Sequence, residues 1–149
     1  MIKTGRVTLG ILIAAIAIAS ILIITSNKTT EEQYSHYTPI TREFWLFNSA
    51  IPGFNEAQMG MPHDVFSMPT IWVFKGDTVV IHFFNTEVAG GDHHSFTIKS
   101  KPYSANVDLS PGQNRTITFD ANTTGIFSYY CTFHQPTMRG QLIVGPPPY

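Results

Sequence analysis

The sequence predicts an all-β domain, a sandwich or barrel of seven to eight short strands, behind one N-terminal transmembrane helix. Three observations predict it. An uncharged apolar run stands near the N-terminus. From about Arg42 onward, short β-branched and aromatic runs alternate with Gly, Pro, Asn and Asp turns. No amphipathic helical run of useful length follows the first segment.

The first element is "VTLGILIAAIAIASILIIT", Val7 to Thr25, with 19 residues and no charge. A helix needs about 20 apolar residues to cross a bilayer. Lys3 and Arg6 precede it, which places the N-terminus in the cytoplasm and the rest of the chain outside. The competing reading is a cleaved signal peptide with "AIA", Ala17 to Ala19, at the cut. Apolar residues continue past that point to Ile24, beyond the roughly 7–15 residues of a signal core, so an anchor is the better reading. Residues 1–25 are thus expected to be a membrane anchor (or signal peptide) and residues 26–41 a polar tether. Residues 42–149 are expected to be the functional domain. The expected location is the cell membrane, single-pass, with that domain on the extracytoplasmic side.

The strands come next. "EFWLF" starts at Glu43. "TIWVFK" (Thr70–Lys75) and "TVVIHFF" (Thr78–Phe84) are separated only by Gly76-Asp77, which predicts a hairpin. "HSFTI" (His94–Ile98) follows Gly90-Gly91-Asp92, and "NRTITF" (Asn114–Phe119) follows Ser110-Pro111-Gly112. "IFSYYC" (Ile126–Cys131) follows "ANTTG", and "GQLIV" (Gly140–Val144) precedes Pro146, Pro147 and Pro148. Such spacing predicts antiparallel pairing. Asn48 to Met68 is the longest stretch without strand character, and long loops in compact domains are often functional.

Composition narrows the function. A net charge of -1, from 9 basic and 10 acidic residues, gives no electrostatic reason to expect nucleic acid. A single cysteine excludes an internal disulfide framework and any site needing two thiolates from one chain.

That cysteine lies in "YYCTFHQPTM", with Cys131, His134 and Met138 inside eight residues. A thiolate and an imidazole suit zinc, copper or iron; a thioether is a soft ligand that favours copper. A second histidine must come from elsewhere. Along "HHSFTI", His94 shares parity with Phe96 and Ile98, so it should point inward, and His93 outward. An uncertain register leaves His93 as the alternative. Cys131 shares the face of Phe127 and Tyr129. An inward thiol at one strand end and an inward histidine on another strand can meet at one pole of a sandwich.

Gly125-Ile126-Phe127-Ser128-Tyr129-Tyr130-Cys131 matches a G-x-[FY]-x-Y-x-C pattern and resembles a strand of the cupredoxin family, whose next loop bears a histidine and a methionine. "LSPGQNRTITFDANTTG" is similar to the stretch before it, and "HSFTI" to the strand bearing the first histidine. The Cys-x2-His-x3-Met spacing is close to plastocyanin-like and amicyanin-like members. The resemblance implies a Greek-key cupredoxin-like sandwich with one type 1 (blue) copper ion. His94, Cys131 and His134 would be its equatorial ligands and Met138 its axial one. It further implies a carrier of single electrons by Cu(I)/Cu(II) cycling, not an enzyme. Its expected partners are redox proteins, a membrane-bound donor or a terminal acceptor, and the membrane itself.

Two other functions compete. A small copper oxidoreductase would need an open copper position, as where water or a carboxylate such as Asp92 replaced Met138, or a second metal site. A copper delivery or storage module would use Met59, Met61, His63 and Met68 of the long loop as a soft second site, although methionines equally fill gaps or make adaptable contacts. His82, within "VVIHFF", reads as a packed or hydrogen-bonded histidine, and Tyr130 as a good strand residue next to the thiol that could couple the site to a partner.

Overall fold

The structure, a computed structural model, describes residues 37–148. The expected anchor, and the tether up to residue 36, lie outside the described residues. Among the described residues no helix is long and apolar enough to cross a membrane.

Nine strands form two sheets within the unit Pro39–Pro147. In chain order they are β1 (Thr41–Ala50), β2 (Asp64–Phe66), β3 (Thr70–Phe74), β4 (Thr78–Phe84) and β5 (His94–Ile98). Then follow β6 (Ala105–Leu109), β7 (Asn114–Asp120), β8 (Gly125–Tyr130) and β9 (Arg139–Gly145). One sheet has the order β2-β1-β4-β7, the other β3-β9-β8-β5-β6. The alternation of buried and exposed residues along β1, β3, β4 and β8 gives each strand one face for the space between the sheets.

Two expectations are corrected. The pairing is not purely antiparallel: β1 runs parallel to β4, and β3 parallel to β9. Nor do β3 and β4 form a hairpin, because they belong to different sheets. Gly76, at φ +101°, does make a turn, but its exit is set by Asp77. The buried Asp77 carboxylate accepts from Ile40 N and Arg42 Nε as well as from Phe74 N. That draws the start of β4 onto β1. The long loop is also more structured than expected. β1 runs on to Ala50, β2 pairs back on it, and one helical turn, α1 (Glu56–Met59), sits between. Asn55 caps α1 through Gln58 N, and Gly60 ends it at φ +67°.

The core joins Leu46, Ile71, Val73, Val79, Ile81, Leu142 and Val144 to an aromatic group of Phe66, Phe83, Phe96 and Tyr129. Tyr129 lies with its ring centroid 5.1 Å from Phe66 and 5.1 Å from Phe96. Its hydroxyl donates to Met68 O, which fixes the ring. Gly140 is the register partner of Tyr129 across β8 and β9, and a Cβ there would collide with that ring. Gly140→Ala is therefore expected to cost about 3 kcal/mol, the upper range of overpacking, read as a lower urea midpoint.

Candidate metal centre

Three of the sequence-predicted residues meet at one place. Ligand atoms of His94, Cys131 and His134 all lie within 4.8 Å of one another. The two imidazole centroids are 4.6 Å apart, and His134 Nδ1 stands 3.5 Å from Cys131 Sγ. His94 opens β5 and Cys131 directly follows β8, its antiparallel neighbour. The two strand ends therefore arrive together. His94 and Cys131 are fully buried, as strand parity requires. His93 has a half-exposed side chain and faces Asp108 at 3.3 Å, away from this role. Ser95 and Thr97 share the parity of outward His93, yet both are buried. Ser95 Oγ contacts Thr132 Oγ1 at 3.0 Å, and Thr97 Oγ1 donates to Asn106. These bonds satisfy their hydroxyls inside.

The loop carrying His134 and Met138 is held by its own backbone. Cys131 N donates to Met138 O at 3.0 Å and Met138 N to His134 O at 2.9 Å. Gln135 Nε2 donates to Cys131 O at 2.6 Å, and Arg139 Nε donates to Gln135 Oε1. The loop is latched to β5 by Thr132 N donating to Ser95 Oγ at 2.8 Å. Met138 is fully buried. Such a network sets side-chain positions before any ion arrives.

The sulfur of Cys131 accepts from Ser95 N at 3.3 Å, which suits a thiolate. Both ring nitrogens of His94 are buried with no hydrogen-bond partner. A buried, unsatisfied imidazole is rare and asks for a cause; a metal on one nitrogen supplies it. Burial pushes His94 below its ordinary pKa, and His134 pushes the same way, while Asp64, Glu87 and Asp92 pull against them. The net effect favours the neutral ring that a metal requires. One thiol, two imidazoles and a buried thioether in the same loop are a soft, nitrogen-and-sulfur donor set that fits copper.

Asp64, Glu87 and Asn85 at this pole escaped the sequence reading, whereas the sequence offers Asp92 only as a replacement for Met138. Asp64, nearly fully buried, places Oδ1 3.8 Å from His94 Nε2 and Oδ2 3.6 Å from His134 Nε2. Glu87 Oε1 is 3.8 Å from His94 Nε2 and accepts from Asn48 Nδ2; Asp92 Oδ2 is 3.8 Å from His134 Nε2. Buried Asn85 ties Asp92 O to Leu109 O. The only sequence signal for Asp64 was its place in the longest loop. Of that loop's soft residues, Met59 is exposed, Met68 packs against the core, and His63 Nδ1 is 2.5 Å from Glu56. His82 is stacked on Trp45 and contacts Thr116 Oγ1 at 3.0 Å.

Comparison with known proteins identifies the fold and its family. The chain is similar in structure to copper nitrite reductase from Nitrosomonas europaea, at 22% identity and TM-score 0.55, over 71% of this chain and 42% of that one. It is similar to a multicopper oxidase at 25% identity and TM-score 0.53, over 72% of this chain and 45% of that one. It thus spans less than half the length of each. Auracyanin A, a blue copper protein from Chloroflexus aurantiacus, aligns at 18% identity and TM-score 0.49, over 70% of this chain and 99% of that one. The family model for the cupredoxin-like domain matches residues 14–144. The chain belongs to the cupredoxin-like domain family.

Proposed function

We propose that this protein is a membrane-tethered type 1 copper protein that carries single electrons between extracytoplasmic redox partners. The observation that carries the reading is the convergence of His94, Cys131 and His134 on one buried point, with both His94 nitrogens unpartnered. Met138 is the proposed axial ligand, supported by its burial and its place in the same latched loop. Bound copper would supply a one-electron couple whose Cu(II) and Cu(I) forms share this mixed nitrogen and sulfur environment.

The protein's own part is to hold the donors still. Loop hydrogen bonds fix His134 and Met138, and the Ser95–Thr132 latch fixes the loop against β5. Phe96 and Tyr129, one step along the same strand faces, are fully buried and keep water from the interior side. The His134 side chain is 12% exposed, against 0% for His94. His134 therefore offers the edge through which an electron reaches a partner, and exposed Phe133 lies beside it at 6.5 Å between ring centroids. Four protein donors leave no position for a substrate, which favours a carrier over a catalyst. Residues 1–25 as anchor, 26–41 as tether and 42–149 as the copper domain complete the proposal. They rest on the apolar run and its flanking Lys3 and Arg6.

Copper reconstitution with optical and electron-spin spectra tests the reading. An intense visible thiolate-to-copper band is expected in the native protein and in His93→Ala, and its loss in His94→Ala. Stoichiometric copper without that band in the native protein would overturn the assignment.

A further inference from the structure

We infer that Asp64 is a positioning residue that holds both imidazoles of the metal centre at once and tunes its reduction potential. The inference rests on the copper reading above and concerns a residue outside its ligand set.

The geometry is specific. One carboxylate turns Oδ1 toward His94 Nε2 and Oδ2 toward His134 Nε2, at 3.8 and 3.6 Å. His134 presents its other nitrogen, Nδ1, to Cys131 Sγ. Each ring thus stands with Nε2 on the carboxylate side. Asp64 is only 4% exposed, and its carboxylate faces these two imidazoles. Its backbone is fixed, because Asp64 opens β2 opposite Ala50 of β1. Metal-bound histidines commonly donate their second ring N–H to a carboxylate, which sets the tautomer and raises ligand basicity. Here a single side chain faces two such rings. The separations are about half an ångström beyond hydrogen-bond length, so the rings must move toward the carboxylate to bond it.

Two consequences follow. Asp64 selects the Nε2–H tautomer on both rings, which leaves each Nδ1 lone pair free for a metal, that of His134 beside the Cys131 sulfur. Its negative charge beside both imidazoles would favour Cu(II) over Cu(I) in bound copper. Glu87 and Asp92 also stand near these nitrogens, but each meets only one ring, and Glu87 is already engaged by Asn48.

The test uses the full chain in two measurements. Nitrogen NMR of the metal-free native protein at mildly alkaline pH is expected to show the Nε2–H tautomer for His94 and His134. The Nδ1–H form on either ring overturns the inference, whether or not the protein turns blue with copper. In copper-loaded protein, Asp64→Asn is expected to keep the visible band while shifting the preference toward Cu(I) at least tenfold. For a one-electron couple that is about 59 mV upward. Glu87→Gln is expected to move the potential less. An unchanged potential in Asp64→Asn with an intact band overturns the tuning role. A native protein without the band refutes the copper reading instead, and the tautomer measurement still decides the role of Asp64.

Discussion

Cys131→Ser is expected to remove the visible colour of the copper-loaded protein and to weaken copper binding by more than about 100-fold. Outer partners of metal ligands alone are worth about 10–100-fold in affinity, and Cys131 is the sole thiolate in the proposed set. The serine hydroxyl is a hard donor that stays protonated at neutral pH, so it offers neither the soft sulfur nor the negative charge. The fold should survive. The hydroxyl occupies the thiol's place and can accept from Ser95 N, which now donates to Sγ. The neighbouring Ser95–Thr132 and Cys131–Met138 bonds use backbone and other side chains. Circular dichroism should therefore match the native protein while the visible band is absent. A variant that keeps the band would show that sulfur is not a ligand. One that loses both band and secondary structure would show that Cys131 is needed for folding.

Strand parity made two of the proposed ligands legible. His94 sits in phase with Phe96 and Ile98, Cys131 with Tyr129, and both lie at strand ends, so burial and proximity follow from period two. Gly140 closing against Tyr129 was not legible, since which strand faces which is a matter of register between segments. β6 was missed because Asn106 and Asp108 break its apolar run. It becomes a strand through full antiparallel pairing with β5, a tertiary cause. The parallel pairs β1–β4 and β3–β9 join segments far apart in the chain, which no local pattern encodes. Asp64 and Glu87 were hidden for the same reason. Asp64 opens β2 and Glu87 lies in the β4–β5 connection, and only the closed sandwich brings them to the imidazole edges. The misread hairpin is the most instructive case. Gly76-Asp77 announced a turn correctly, but a turn residue does not name the partner of the strand that follows. Asp77 did name it, through a side chain whose bonds reach back to β1.

That role makes Asp77 the residue whose removal should harm the fold most. Asp77 is fully buried. Oδ1 accepts from Ile40 N at 3.1 Å; Oδ2 accepts from Phe74 N at 3.0 Å and from Arg42 Nε at 2.5 Å. Its backbone adds bonds to Phe74 O and from Ala121 N. One residue thereby ties β1, the end of β3 and the β7–β8 connection to the start of β4. Asp77→Ala strips the acceptor from two backbone N–H groups and leaves the Arg42 guanidinium, itself partly buried, without this counter-charge. Breaking a buried ion pair from one side costs about 3–5 kcal/mol. Asp77→Asn keeps the volume, but its amide end turns a donor toward donors, so it should recover only part of the loss. Asp120 is the control. It is exposed and accepts from Thr78 Oγ1 at 2.9 Å across β4 and β7, so Asp120→Ala should cost about 1 kcal/mol or less. Urea unfolding followed by tryptophan fluorescence reads all three. If Asp77→Ala unfolds at the same urea concentration as Asp120→Ala, the carboxylate does not set the course of the chain from one sheet to the other.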